Sequence, residues 1–147
     1  MSNSITKIGK YCFQNCYNLT KLELPTNLKV IGKCCCGNIN SLKELIMPNS
    51  IIKIGECCFQ SCHDLSKLEL STNLKEINNH HFNYCDNLKE LIIPDNITKI
   101  GECCFNNCNN LTKIKISTNL KEISHHCFIG CKNLKELIIP NSATYFE

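Results

Sequence analysis

The sequence predicts a solenoid of six stacked 23-residue coils, mostly β with short 3-10 and turn segments and a short parallel sheet on one face. Three observations predict it. From Ser4 the chain divides without insertion or deletion into six copies of one pattern: 4–26, 27–49, 50–72, 73–95, 96–118 and 119–141. Ten columns of the aligned copies are nearly constant, with Ile fifth in every copy (Ile8 to Ile123) and Leu sixteenth (Leu19 to Leu134). A Leu-x-Leu segment, as at Leu22 and Leu24, alternates with the period of a strand. A coil of this kind cannot cover its own apolar edge, so copies stack to bury it. The single repeat domain is expected over residues 4–141, with 142–147 beginning a truncated seventh turn.

The elements of one copy follow in order. Its first residue is Asn or Ser: Ser4, Asn27, Ser50, Asn73, Asn96 and Asn119. Such side chains either bond the backbone of a neighbouring coil as a ladder or sit in exposed turns, and the residues alone leave both open. After the fifth-column Ile comes Gly9, Gly32, Gly55 or Gly101, with Asn78 and Ser124 in the other copies. A corner with positive φ is expected there, because Gly and Asn tolerate it. Then comes Phe13, Phe59, Phe82, Phe105 or Phe128, with Cys36 in the second copy. The Asn-rich stretch that follows, such as 106–110, reads as a turn or short 3-10 segment. The strand comes next, and strands of successive coils would lie parallel, roughly 4.8 Å apart.

The pattern L-x-x-L-x-L-P-x-x-L-x-x-I-x-x-x-x-F-x-x-C resembles the BspA-like class of leucine-rich repeats, over residues 4–141. The class usually carries Ala before the Phe, where this chain has Cys12, Cys35, Cys58, His81, Cys104 and Cys127. The second copy departs further, with Cys36 for Phe and Ile39 for Cys. The resemblance implies a leucine-rich-repeat solenoid and a role as a surface adhesin or interaction protein.

A second rhythm runs at 46 residues. Column 18, outward on the strand, is Lys21, Glu44, Lys67, Glu90, Lys113 and Glu136. Neighbouring parallel strands would set these opposite charges side by side, which favours one register. Inheritance from a duplicated two-copy unit explains the alternation equally well. Column 20, also outward, is Glu23, Ile46, Glu69, Ile92, Lys115 and Ile138. An Ile on every second strand suits a protein or peptide partner, though β-propensity at a surface strand accounts for it too.

Composition excludes several classes. The 147 residues carry a net charge of +3, and all 16 basic residues are Lys, with no Trp. A nucleic-acid reader would be expected to use Arg forks and a basic stripe. No apolar run approaches the ~18 residues of a membrane helix. No signal peptide opens this chain, so a cytoplasmic location is expected, or the cell surface if it belongs to a longer exported protein. The sequons at Asn18, Asn96 and Asn110 fit chance in an Asn-rich chain.

The 14 cysteines repeat with the coil. Columns 9 and 13 exchange Cys with His81 or Ile39, which is the behaviour of packing residues, so buried reduced thiols are expected. Column 8 is more mixed: Tyr11, Cys34, Cys57, His80, Cys103 and His126. Of these, Cys57, His80, Cys103 and His126 are the candidate metal ligands, but a row spaced by the coil repeat does not converge on a tetrahedral zinc. No metal site or cofactor is therefore expected. No nucleophile stands apart with a base and an orienting group, so no enzyme is expected.

The ends lack polar caps, and a homodimer through an uncapped terminal coil is expected, unless the chain is part of a longer array. The leading function is a non-enzymatic protein-protein interaction scaffold. Its expected contact residues are Lys21, Glu44, Ile46, Lys67, Glu69, Glu90, Ile92, Lys113, Lys115, Glu136 and Ile138. The alternatives are a Cys/His metal or redox module and a fragment of a cell-surface adhesin.

Overall fold

In a computed structural model, which describes residues 4–145, the coils stack as parallel turns of a β-solenoid. Twelve short strands fall into two rows. The first row contains β1 (Lys7–Ile8), β2 (Val30–Ile31), β4 (Lys53–Ile54), β6 (Glu76–Ile77), β8 (Lys99–Ile100), β10 (Glu122–Ile123) and β12 (Thr144–Tyr145). The second contains β3 (Glu44–Ile46), β5 (Lys67–Glu69), β7 (Glu90–Ile92), β9 (Lys113–Lys115) and β11 (Glu136–Leu137). The second row is the strand face the sequence predicts. The first row is additional, a two-residue strand that ends on the fifth-column Ile in each of the six copies. Its short length hid its alternation.

Within the six copies pairing is in register at the repeat distance, with Leu45 beside Leu68 and Ile31 beside Ile54, while β12 pairs with β10 one residue short of it, Thr144 beside Glu122. Between the rows, the Leu, Ile and Phe columns form one continuous core, with Leu28, Ile51, Phe59, Leu65, Phe82 and Leu111 fully buried. Phe59, Phe82, Phe105 and Phe128 stack with centroids 5.6–5.8 Å apart and planes within 8°. Cys36 takes the Phe place in the second coil, so Phe13 lies outside that stack.

Thiols supply core contacts of their own. Column-13 cysteines reach the carbonyl of the tenth residue of the preceding coil: Cys62 to Cys36, Cys85 to Phe59, Cys108 to Phe82 and Cys131 to Phe105, at 3.1–3.4 Å. This explains why sulfur recurs at a position an alkyl group would also fill. Burial pushes the Cys62 thiol up to about 12 and those of Cys85 and Cys127 well above the ordinary range. All 14 cysteines are free.

The Asn ladder forms. Asn73, Asn96 and Asn119 donate side-chain N–H groups to the carbonyls of Asn49, Thr72 and Asp95, at 2.7, 2.6 and 3.1 Å. Each bond spans one coil boundary. Ser50 Oγ makes a related bond to the Leu28 carbonyl at 2.7 Å.

The expected positive φ at the sixth-column glycines does not occur. Positive φ falls instead on columns 8 and 12, at Tyr11, Cys34, Cys57, His80, Cys103 and His126, and at Asn15, Asn38, Ser61, Tyr84, Asn107 and Gly130. Gly32, Gly55 and Gly101 serve close approach instead. A β-carbon on Gly32 would lie 2.6 Å from the Gly9 carbonyl carbon, and one on Gly101 would lie 2.6 Å from the Asn79 nitrogen.

Candidate protein-binding face

The second strand row presents alternating side chains by the pleat of the chain. Leu45, Leu68, Leu91 and Ile114 point inward and are buried, so their neighbours in columns 18 and 20 point out. Ile46, Ile92 and Ile138 are 49%, 65% and 69% exposed. Lys21, Glu44, Lys67, Glu69, Glu90, Lys113, Lys115 and Glu136 are exposed as well. The eleven contact residues expected from the sequence thus all lie at the surface.

Their charges meet as neighbours. Glu44 faces Lys67, Glu90 faces Lys113, and Glu136 faces the other side of Lys113. Lys67 closes ion pairs with Glu44 and, at 3.4 Å, with Glu69. These contacts hold the Lys67 ammonium above its ordinary range, first through the hydrogen bond to Glu44. Lys21 departs from the pattern: its segment is not a strand, and it pairs with Glu23 at 2.5 Å.

Each row of strands is interrupted. β5 and β7 belong to separate sheets, as do β4 and β6, so both ladders part between the third and fourth coils. The fourth coil alone combines Asn78 at the glycine corner with His81 in a thiol column. Both groups are bulkier than those they replace, yet the coils stay joined at this corner: Asn78 donates to the Ile54 carbonyl, and the Cys57 and Phe59 N–H groups donate to the Asn79 and His81 carbonyls at 3.1 and 3.0 Å. On the strand face a groove of about 630 Å³ lies between the third and fourth coils, lined by Lys67, Glu69, Leu70, Lys89, Ile92 and Pro94, among others. A second groove of about 600 Å³ lies between the first two coils, beside Lys21, Glu23, Glu44 and Ile46. The two grooves occupy the same place 46 residues apart, each between an odd and an even coil, so both follow the longer rhythm of the sequence.

His81 lies at the same break, fully buried between Phe59 and Phe82. Neither ring nitrogen has a hydrogen-bond partner of ordinary geometry. Burial pushes its pKa down to about 3, opposed in part by the Gly55 backbone.

The column-8 row runs along another corner. Cys57, His80 and Cys103 are half-buried and His126 is exposed. Burial, then the neighbouring Cys34 thiol, raises the Cys57 pKa. Among the described residues, no three His, Cys, Asp or Glu side chains are grouped so as to hold a metal ion.

The family model for the BspA type leucine rich repeat region matches in 6 copies, over residues 1–108 and 36–147. The chain belongs to the BspA-type leucine-rich-repeat family. Solved structures share its coil. A leucine-rich repeat protein from Bacteroides ovatus is 28% identical with a TM-score of 0.92, over 98% of this chain and 37% of that one. The T. pallidum leucine-rich repeat protein is 23% identical with a TM-score of 0.90, over 96% of this chain and 66% of that one. A leucine rich cell surface protein from Faecalibacterium prausnitzii is 24% identical with a TM-score of 0.69, over 99% of this chain and 31% of that one. This BspA-type array therefore spans 37% and 66% of the first two solved relatives. No curated protein matches it significantly. No helix among the described residues is long and apolar enough to cross a membrane.

Proposed function

We propose that this BspA-type array is a non-enzymatic protein-binding scaffold whose contact surface is the second strand row. The observation that carries the reading is the exposure of Ile46, Ile92 and Ile138 among charged neighbours, beside two grooves on the same face. Apolar anchors rimmed by charge favour a protein partner. Leucine-rich repeats as a family support protein binding in general, and the resemblance to surface proteins supports an adhesin fragment as the setting.

The test is capture from a native lysate with the tagged chain, comparing Ile46→Asp/Ile92→Asp with Ile52→Asp, which alters an exposed Ile outside the strand face. The double variant is expected to lose the captured protein while keeping its circular dichroism, and the control to retain both. Undiminished capture by the double variant would move the contact to another face.

Self-association is the finer part of the proposal. The sixth coil exposes Ile129 and Ile139 beside a groove of about 340 Å³, a surface a second copy would cover in a chain of this length. Light scattering reads it directly: a monomer at tens of micromolar rejects it.

A further inference from the structure

Cys34 and Cys57 hold the same place in the second and third coils. Cys34 N–H donates to the Glu56 carbonyl at 2.9 Å, and Cys57 N–H donates to the Asn79 carbonyl at 3.1 Å, so the coils stack regularly through this corner. Their φ angles, 51° and 54°, are nearly equal, so the two side chains leave the backbone in similar directions. Their carbonyls converge on one spot: a β-carbon on Gly37 would lie 3.7 Å from the Cys57 oxygen and 3.9 Å from the Cys34 oxygen. After burial, the neighbouring Cys34 thiol is what raises the Cys57 pKa, in keeping with two sulfurs on one side of the corner. Stacked residues stand about 4.8 Å apart, inside the range of roughly 4.4–6.8 Å that disulfides span between Cα atoms.

Column 8 makes this a closed pair. Tyr11 lies on one side of Cys34 and His80 on the far side of Cys57, so the row supplies no third sulfur. Cys103, between His80 and His126, has no sulfur neighbour in its row. Both thiols are half-buried and open to a small reagent, while Cys35, Cys36 and Cys58 behind them are buried.

We propose that Cys34 and Cys57 are a redox-modification site, oxidised by a low-molecular-weight disulfide to a covalent staple between the second and third coils. The Cys34 thiolate attacks one sulfur of the reagent, forming a mixed disulfide and expelling one thiolate. The Cys57 thiolate then attacks the Cys34 sulfur, expels the second thiolate and closes the Cys34–Cys57 bond. Two electrons pass from the protein thiols to the reagent, and the two protons leave with the released thiolates.

The test uses the 147-residue chain with Cys12→Ser and Cys16→Ser, which removes two exposed thiols elsewhere. It is exposed to glutathione disulfide, quenched with an alkylating agent and mapped without reduction after cleavage at Lys. The expected product carries a link between peptide 34–43 and peptide 54–67, two hydrogens lighter than the two thiol peptides, with no glutathione on either peptide. Its urea midpoint rises and returns on reduction. Cys34→Ser abolishes the link and leaves glutathione on Cys57, whereas Cys35→Ser keeps the link. The proposal is overturned by a link that survives Cys34→Ser, by glutathione retained on both residues, by an intermolecular dimer, or by no reaction.

Discussion

A β-carbon on Gly55 would stand 2.6 Å from the Lys33 Cα, well inside the distance at which carbons can approach. Gly55→Ala therefore forces the second and third coils apart, and a loss of about 3 kcal/mol or more is expected in urea unfolding. Gly9 shares the column but has nothing within 4 Å of that position. Gly9→Ala is expected to stay within about 0.5 kcal/mol of the parent. If positive φ were the reason for glycine here, the two variants would suffer alike.

His81 predicts an acid-sensitive stability. Its folded pKa, pushed down to about 3 by burial, lies below the 6.5 of a free imidazole. Below pH 6.5 the unfolded chain takes up a proton that the folded chain refuses, so stability falls as pH drops and is fully present above that value. Between pH 7.5 and pH 5 this residue should remove about 2 kcal/mol. His81→Cys, the residue type of the other copies, is expected to abolish that part of the pH dependence in urea titrations at the two pH values. An unchanged pH slope would show that the ring is not buried as a neutral group.

The Asn ladder should be measurable one rung at a time. Asn96→Ala removes the bond to the Thr72 carbonyl and is expected to cost about 1 kcal/mol in chemical denaturation. Asn110→Ala, whose side chain reaches only the Asn87 amide oxygen at 3.3 Å on the surface, should cost less. Equal effects would remove the ladder's special role.

Residues that recur every 23 places were legible, because stacking makes each column's environment uniform. That uniformity is why the inward Leu45 and Leu68 and the outward Ile46 and Ile92 fall where the pattern puts them. The glycine corner was misread because a short contact to another coil and a positive φ both select glycine. Column 12 did carry a signal for positive φ in Asn15, Asn38, Asn107 and Gly130. Column 8, with Tyr11, Cys34 and His80, carried none. The grooves were not read from the sequence although they repeat at the 46-residue spacing, with Lys21, Glu23, Glu44 and Ile46 in one where Lys67, Glu69, Glu90 and Ile92 stand in the other; a concavity depends on side-chain placement that the column pattern does not give.

Columnar stacking underlies the binding face, the thiol pair and the break at His81. Nuclear Overhauser effects between aromatic rings test it most directly. Contacts in series from Phe59 to Phe82 to Phe105 to Phe128 are expected, with none from Phe13 to Phe59 across Cys36. Rings that show no contact at the 23-residue spacing would contradict the stacked solenoid itself.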